Sequence, residues 1–307
     1  MSDELLGLRP AEMLPPHVVT ELSQEALDYI DACYDNPPDS RQKLPYHGAF
    51  HTTSVVSRVE RILRAVQAAI PELVSERDIQ IGTVAASFHD VVQHWGEGTS
   101  QIADMPAITM KRKTGFNEEA SAFMARKHMV EANEREGKEL FTEEDMATVT
   151  EAIMGTVPGF DVQLRTVVQP NVTEESSIIT KAMALADLGG PAMDGPETYQ
   201  WEGDSLFQEM NLDVRYTKDR GVPIAKIYED AVKKRALEWT ASQAEFAYGR
   251  AVRFHQTEIL WLPEEARNAV GAIFSSYNET VLAAQDVFER RSSMSCTEIL
   301  VDMGFEN

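Results

Sequence analysis

Cysteine is nearly absent from this sequence, since only Cys33 and Cys296 occur among 307 residues. Two thiols are too few for a disulfide scaffold or for a zinc cluster held by thiolates. Such sparse use of cysteine is typical of proteins from a reducing cytoplasm. We therefore expect a core held together by apolar packing, and we do not expect thiol chemistry.

Basic residues are also scarce: 28 Lys and Arg stand against 50 Asp and Glu, which gives a formal net charge of −22. An acidic surface repels nucleic acids and anionic membranes, so we expect neither as a partner. A small anionic substrate stays open, because a bound metal can reverse the charge of a site locally.

Long apolar runs are missing as well. No stretch reaches the length of a membrane span, and the N-terminus reads MSDELL, without the basic start and apolar run of a secretory signal. The sequence therefore predicts a soluble protein of the cytoplasm.

Apolar residues recur at helical spacing over most of the chain. In the segment 47–70, for example, Val55, Val59, Ile62 and Val66 share one face, and Pro71 follows the segment. This periodicity predicts an all-α fold. We expect helices at residues 23–34, 47–70, 76–93, 117–136, 142–155, 174–188, 199–214, 224–262 and 263–290.

Two segments lack helical periodicity. Residues 96–115 contain several Gly and Pro residues and predict a long loop. Residues 160–173 predict irregular structure, because one isolated strand could not satisfy its own edges. The composition changes after Pro191, so we predict a helical core at 18–191 and a helical extension at 192–307 that packs on it.

Four of the seven histidines fall in two tight groups. His47 and His51 are about one helical turn apart, so both imidazoles can face one cavity. His89 precedes Asp90 at the end of an apolar helix, where a cation would offset the cost of burying a carboxylate. His94 follows in the same group. Together these residues predict a metal site.

The order of these residues resembles that of the HD-domain metal-dependent phosphohydrolases, in which a His, an adjacent His-Asp pair and a distant Asp follow one another. This chain has His51, His89-Asp90 and Asp187. The segment YHGAFHT at 46–52 is similar to the Tyr-His-Asn-x-x-His segment of cyclic-nucleotide phosphodiesterases and bacterial HD hydrolases, with Gly48 in place of Asn. NEEASA at 117–122 and ADL at 186–188 are similar to further segments of such proteins, so the resemblance covers about residues 20–190.

The resemblance implies a helical bundle that holds a divalent metal through His51, His89, Asp90 and Asp187. Two imidazoles and two carboxylates suit Mn, Fe, Co, Ni or Zn, and Asp90 could bridge to a second, weakly held Mg or Mn. The implied activity is hydrolysis of a small phosphate ester, such as a nucleotide, by water that the metal activates.

The resemblance also implies roles for residues around the metal. We expect His47 to protonate the leaving oxygen, Glu119 to orient His47 or the water, and His94 to orient water. Apart from the resemblance, one dense basic run lies beside these motifs, and its loop could close over a phosphate. The run consists of Lys111, Arg112 and Lys113.

Two other functions stay open within this fold. A di-iron oxygenase would need further histidines to hold a second ion, for which His128 and His94 are the candidates. A non-catalytic HD module that binds a ligand would not need the complete ligand set. The sequence leaves the oligomeric state open, a homo-oligomer included.

Overall fold

The computed structural model describes residues 13–102, 105–221 and 224–305, and over these ranges it confirms the predicted all-α fold. The described strands form two small antiparallel hairpins. No helix within the described ranges combines the length and the apolarity that crossing a bilayer requires. The helices are α1 (Pro16–Ile30), α2 (Ala49–Ala69), α3 (Glu76–Phe88), α4 (Phe116–Glu136), α5 (Glu143–Gly155), α6 (Ile178–Asp187), α7 (Gly190–Met193), α8 (Gly195–Met210), α9 (Leu212–Asp219), α10 (Lys226–Gln256), α11 (Glu264–Ile273), α12 (Tyr277–Ser292) and α13 (Cys296–Asp302).

Helix α3 is the centre of the N-terminal bundle, because it contacts α1, α2, α4, α5 and α6. Its start is set by a capping box, in which Ser75 accepts a hydrogen bond from the backbone N–H of Asp78 and the Asp78 carboxylate accepts one from the N–H of Ser75. Most of its side chains are buried. A helix that is apolar on nearly all sides is stable only inside a core, and this position brings its C-terminal end into the middle of the bundle.

The helices after Pro191 pack on this bundle. Helix α11 lies against α2, and Phe254, Val270 and Phe274 belong to the same apolar cluster as the buried residues of α1 to α6. A second, smaller cluster joins Phe207 of α8 to Ile299 of α13 and their neighbours. The predicted boundary at residue 191 stays a prediction, although the two parts share one core.

Several predicted helix ends were wrong. Helix α1 begins at Pro16, seven residues before the predicted start, with proline at its first position, where its missing N–H costs nothing. The segment 224–262 holds α10 and a separate 3-10 helix at Glu258–Trp261, and the segment 263–290 holds α11 and most of α12. In each case a second element continues the apolar pattern, so periodicity alone does not reveal the break.

The loop predicted at 96–115 is instead an antiparallel hairpin of β1 (Trp95–Ile102) and β2 (Met105–Arg112). In its register Trp95 stands opposite Arg112. Strand β2 packs on α8 and α9, and Thr109 forms a bridge to Asn211. The hairpin is thus held by residues about a hundred positions further along the chain, which local periodicity cannot show.

The segment 160–173, predicted to be irregular, also contains a hairpin. Strand β3 (Gly159–Asp161) pairs with β4 (Thr166–Val168), and β4 lies against α10. An isolated strand would leave its edges unpaired, but here β3 and β4 pair with each other and α10 packs against β4.

Candidate metal centre

His51 lies in the first turn of α2, and the backbone just before that helix is shaped by Gly48. A Cβ at Gly48 would come within 2.1 Å of Asp35 Oδ1, so any other residue here would require the Asp35 side chain to move. The other oxygen of Asp35 accepts a hydrogen bond from the backbone N–H of Ala49 (2.9 Å), which satisfies one free donor at the helix start. His47 therefore precedes α2 instead of forming its first turn as predicted, yet its ring centroid lies only 6.2 Å from that of His51.

His89, Asp90 and Asp187 reach the same place from two helix ends. His89 follows directly after α3, which ends at Phe88 and not at Gln93 as predicted, and Asp90 stands in the turn behind it. Asp187 is the last residue of α6. The packing of α2, α3 and α6 against one another brings these helix ends together.

The side chains of His51, His89 and Asp90 surround a common point, and the carboxylate of Asp187 lies beside the two imidazoles. His51 Nε2 and His89 Nε2 lie 3.4 Å apart, and Asp90 Oδ2 lies 3.6 Å from the first and 3.3 Å from the second. Asp187 Oδ1 lies 3.4 Å and 3.7 Å from the same two nitrogens. Around an ion with bonds of about 2.1 Å, neighbouring ligand atoms are about 3.0 Å apart in octahedral and about 3.4 Å apart in tetrahedral geometry, so the spacing fits a metal.

Hydrogen bonds fix which atoms face that point. His89 Nδ1 donates to the carbonyl of Ala86 (2.7 Å), and a carbonyl only accepts, so the lone pair is on Nε2 and points inward. The outer oxygens of the two carboxylates accept amide hydrogen bonds. Gln93 Nε2 donates to Asp90 Oδ1 (2.8 Å), and Gln169 Nε2 donates to Asp187 Oδ2 (2.9 Å). The inner oxygens remain directed at the imidazoles.

The site is buried and carries a negative potential. Burial alone would lower the pKa of His51, but the neighbouring carboxylates of Asp187, Glu202 and Asp90 raise it to about 9. The pKa of His89 is also raised against the effect of burial, chiefly by Asp90. Burial would raise the pKa of Asp90, yet the imidazoles of His89 and His47 and the nearby Arg112 hold it well below its usual range. Surroundings that favour a positive charge on imidazole also favour a bound cation.

A buried ion pair lies beside Nδ1 of His51, the ring nitrogen that faces away from the common point. Arg58 on α2 is fully buried and donates to Glu202 (2.6 Å) and Asp194 (2.5 Å). Glu202 Oε1 lies 3.9 Å from His51 Nδ1, a nitrogen without a hydrogen-bond partner. The pKa of Glu202 is lowered despite burial, because Arg58 and His51 stabilise its charge. An ionised Glu202 favours a proton on Nδ1 of His51 and leaves Nε2 free to bind metal.

His47 is held by a second carboxylate of α8. Its Nδ1 donates to Glu209 Oε1 (2.5 Å), and Glu209 Oε2 accepts from the backbone N–H groups of Tyr46 and His47 (both 3.2 Å). Glu209 is completely buried. Burial alone would raise its pKa, but the imidazole and backbone N–H of His47 and the charge of Arg112 lower it. The other nitrogen, His47 Nε2, lies 3.9 Å from Asp90 Oδ2 and therefore faces the centre.

One member of the basic run reaches the site. Arg112 donates from Nε to Gln93 Oε1 (2.9 Å), and its Nη2 lies 3.5 Å from Asp90 Oδ1. Lys111 and Lys113 are exposed. The side chain of Lys111 packs over Gly98 of the paired strand. Lys113 Nζ lies 5.8 Å from the ring centre of Phe116. Of the three residues of the predicted clamp, Arg112 is the one that the structure brings to the centre.

The structure does not bring Glu119 and His94 to the centre. Glu119 is exposed on α4, and the partner of His47 is Glu209 instead. His94 is exposed as well, with its ring centre 5.4 Å from that of Phe116. The preceding residue, Gln93, is the one that turns inward to Asp90. The roles of Glu119 and His94 stay predictions, and the structure places both side chains at the surface.

Glu202 and Glu209 were missed in the sequence, although α8 carries a signal for them. They are seven residues apart and so lie on one face, two turns apart, and both are buried. Two acidic residues on the buried face of a helix need partners. Their partners, Arg58 and His47, lie more than 140 residues earlier in the chain, so sequence spacing does not link them.

The geometry defines a buried group, His51, His89 and Asp90, whose ligand atoms lie within 4.8 Å of one another and can hold a metal ion. Comparison of the chain with protein-family models, with curated proteins and with solved structures finds no match. The chemistry of the site therefore rests on its own residues.

Proposed function

We propose that the protein is a metal-dependent phosphohydrolase of the HD-domain type that acts on a small phosphate ester such as a nucleotide. One observation carries the proposal: a buried set of metal-ligating atoms lies beside an imidazole that a buried carboxylate holds toward it. Binding of a metal alone would not require a positioned proton donor, whereas ester hydrolysis does.

In this proposal Asp187 completes the ligand set of His51, His89 and Asp90. Imidazole and carboxylate ligands suit Mn, Fe, Co, Ni or Zn, and a second ion, Mg or Mn, would be held weakly through Asp90. A divalent ion bound here would supply Lewis acidity toward phosphoryl oxygens and a water of lowered pKa. The amide hydrogen bonds from Gln93 and Gln169 keep both carboxylates oriented for this task.

His47 is the proposed proton donor to the leaving oxygen. Because Glu209 accepts the hydrogen bond from Nδ1, the free Nε2 edge faces the centre. The ionised Glu209 accepts from Nδ1 and so holds the ring in the orientation that a proton donor to the leaving oxygen requires. Arg112 is the proposed phosphate ligand, because a guanidinium beside Asp90 can donate to phosphoryl oxygens near the metal.

The other two functions find less support in the described part of the chain. His128 Nδ1 donates to Glu25 Oε2 (2.7 Å), and its ring packs on Phe88. With His94 exposed, neither histidine extends the ligand set toward a second ion, as a di-iron oxygenase would need. A ligand-binding module without activity would have no use for the His47 and Glu209 pair.

Phosphate release under strictly anaerobic conditions tests this proposal. We expect purified protein to release phosphate from nucleotides or small phosphate esters, with stimulation by one of the five transition metals, loss on chelation and recovery when metal is restored. Elemental analysis identifies the resident ion. Turnover that requires oxygen, without anaerobic phosphate release, or the spectrum of a mixed-valent iron pair would instead indicate the oxygenase.

Replacement of Arg112 with Met is expected to raise KM about 10-fold or more, because a hydrogen bond between charged groups is lost. Lys111→Met and Lys113→Met are matched controls that remove the same charge from the surface, and we expect their KM to stay within about twofold of the wild type. Steady-state kinetics at fixed ionic strength makes the comparison. An unchanged KM for Arg112→Met would exclude its role as the phosphate ligand.

A further inference from the structure

A cavity of about 330 Å³ adjoins the metal centre. Asp187 lies in its wall and directs Oδ1 at the two imidazoles. Tyr46 is also in the wall, and its ring centre lies 4.7 Å from that of His47 and 4.5 Å from that of His51. A molecule in the cavity would therefore touch the residues around the proposed reacting atoms.

The lining of the cavity is aromatic and largely fixed. Trp239 Nε1 donates to the carbonyl of Gly203 (3.0 Å), and Tyr199 Oη donates to the carbonyl of Gln243 (2.8 Å). The ring of Phe246 is nearly parallel to that of Tyr199, at an angle of 14°. Rings held in place form a preorganised surface for stacking. The five rings of the lining are Tyr46, Phe160, Tyr199, Trp239 and Phe246.

The charges of the lining are not those of a polyphosphate site. Arg165 is the cation among the lining residues, and it forms an ion pair with Glu245 (2.8 Å) at an exposed position. Asp187 and Glu202 add negative charge at the inner end. A chain of phosphates in this cavity would meet carboxylates and no unpaired cation, which is unfavourable.

We propose that this cavity holds the ring-bearing organic part of the substrate, a nucleobase or an aryl group, while a single phosphate lies at the metal centre beside Arg112. This inference rests on the proposed function and narrows its substrate class to phosphate esters with a flat ring and without a polyphosphate chain. The volume is in the range of small-molecule sites.

Binding of non-hydrolysable phosphonates tests the cavity without turnover. We expect the metal-loaded, full-length protein to bind phenylphosphonate about 10-fold or more tightly than methylphosphonate in calorimetry, because stacking on aromatic side chains favours the ring. Trp239→Ala enlarges the cavity and Ser242→Trp fills it, and both should bring the ratio of the two dissociation constants close to one. Trp201→Ala is the matched control, because Trp201 is 43% exposed, packs on Phe50 and lies outside the lining.

The second variant keeps the test decisive if the first does not fold. A wild-type ratio near one would overturn the proposal, and so would a ratio that persists in folded Ser242→Trp or is lost equally in Trp201→Ala. Kinetics then tests the ring and the phosphate number, with AMP expected to exceed both ribose 5-phosphate, which has the same kind of leaving oxygen, and ATP in kcat/KM. Ring preference in binding without phosphate release would contradict the proposed function alone. Equal kcat/KM for AMP and ribose 5-phosphate would contradict this cavity assignment alone.

Discussion

The double variant His89→Ala, Asp90→Asn is expected to lose the tightly held metal and to release no phosphate. The two side chains supply two of the atoms that surround the common point. Loss of a group that merely supports a ligand typically costs about 10- to 100-fold in metal affinity or activity. Removal of two ligands should cost considerably more, because the remaining His51 and Asp187 cannot complete the coordination of a transition metal.

Elemental analysis of the purified variant, after dialysis against metal-free buffer, measures the outcome. His128→Ala is the matched control, since this histidine pairs with Glu25 away from the centre, and it should keep full occupancy. Circular dichroism must show that the double variant retains its helices. Full metal occupancy in a folded double variant would refute the assignment of these ligands.

The candidate metal ligands could be predicted from the sequence because most of them lie in a local pattern. His51 belongs to a short segment that opens α2, and His89-Asp90 directly follows the largely buried helix α3. Polar residues in such places need a common explanation, which a cation provides. The resemblance to HD-domain proteins then adds Asp187, which alone would be an ordinary residue at the end of a helix.

The residues that orient the ligands could not be predicted in this way. Glu202 and Glu209 belong to α8, and the residues that they contact lie in α2 and just before it. Only the tertiary structure brings α8 beside these residues. The sequence therefore predicts Glu119 as the residue that orients His47, whereas the structure shows Glu119 exposed.

Arg112 shows how the same limit affected the prediction of the proposed phosphate ligand. A charged run in a Gly-containing segment predicts a loop with three equivalent cations. In the structure the segment forms strand β2, in which successive side chains point to opposite faces. Arg112 consequently turns toward Asp90, while its two neighbours stay at the surface. The hairpin depends on α8 and α9, so the selection of one cation is also a consequence of the tertiary structure.

Replacement of His47 with Ala is expected to leave metal bound but to reduce kcat by about 10²- to 10⁴-fold, the usual range for a positioned general acid. The reason is that the leaving oxygen of an alkyl ester needs a proton, and His47 Nε2 is the imidazole edge that faces the centre without belonging to the ligand set. Glu209→Gln keeps the shape of the side chain but replaces one carboxylate oxygen with an amide N–H. That N–H cannot accept the hydrogen bonds that Glu209 receives from His47 Nδ1 and the backbone of Tyr46. Its loss should fall between the wild type and His47→Ala, with metal retained.

The leaving group separates proton donation from other roles of His47. With 4-nitrophenyl phosphate, whose leaving group departs without protonation, the loss in His47→Ala should shrink by at least about 10-fold relative to an alkyl ester, because the missing step is no longer required. Metal content is measured on the same samples. Equal losses on both substrates would make His47 a structural residue, and loss of metal would make it a ligand. A large loss on the alkyl ester alone, with metal retained, is the result that only a proton donor held by Glu209 beside Asp90 explains.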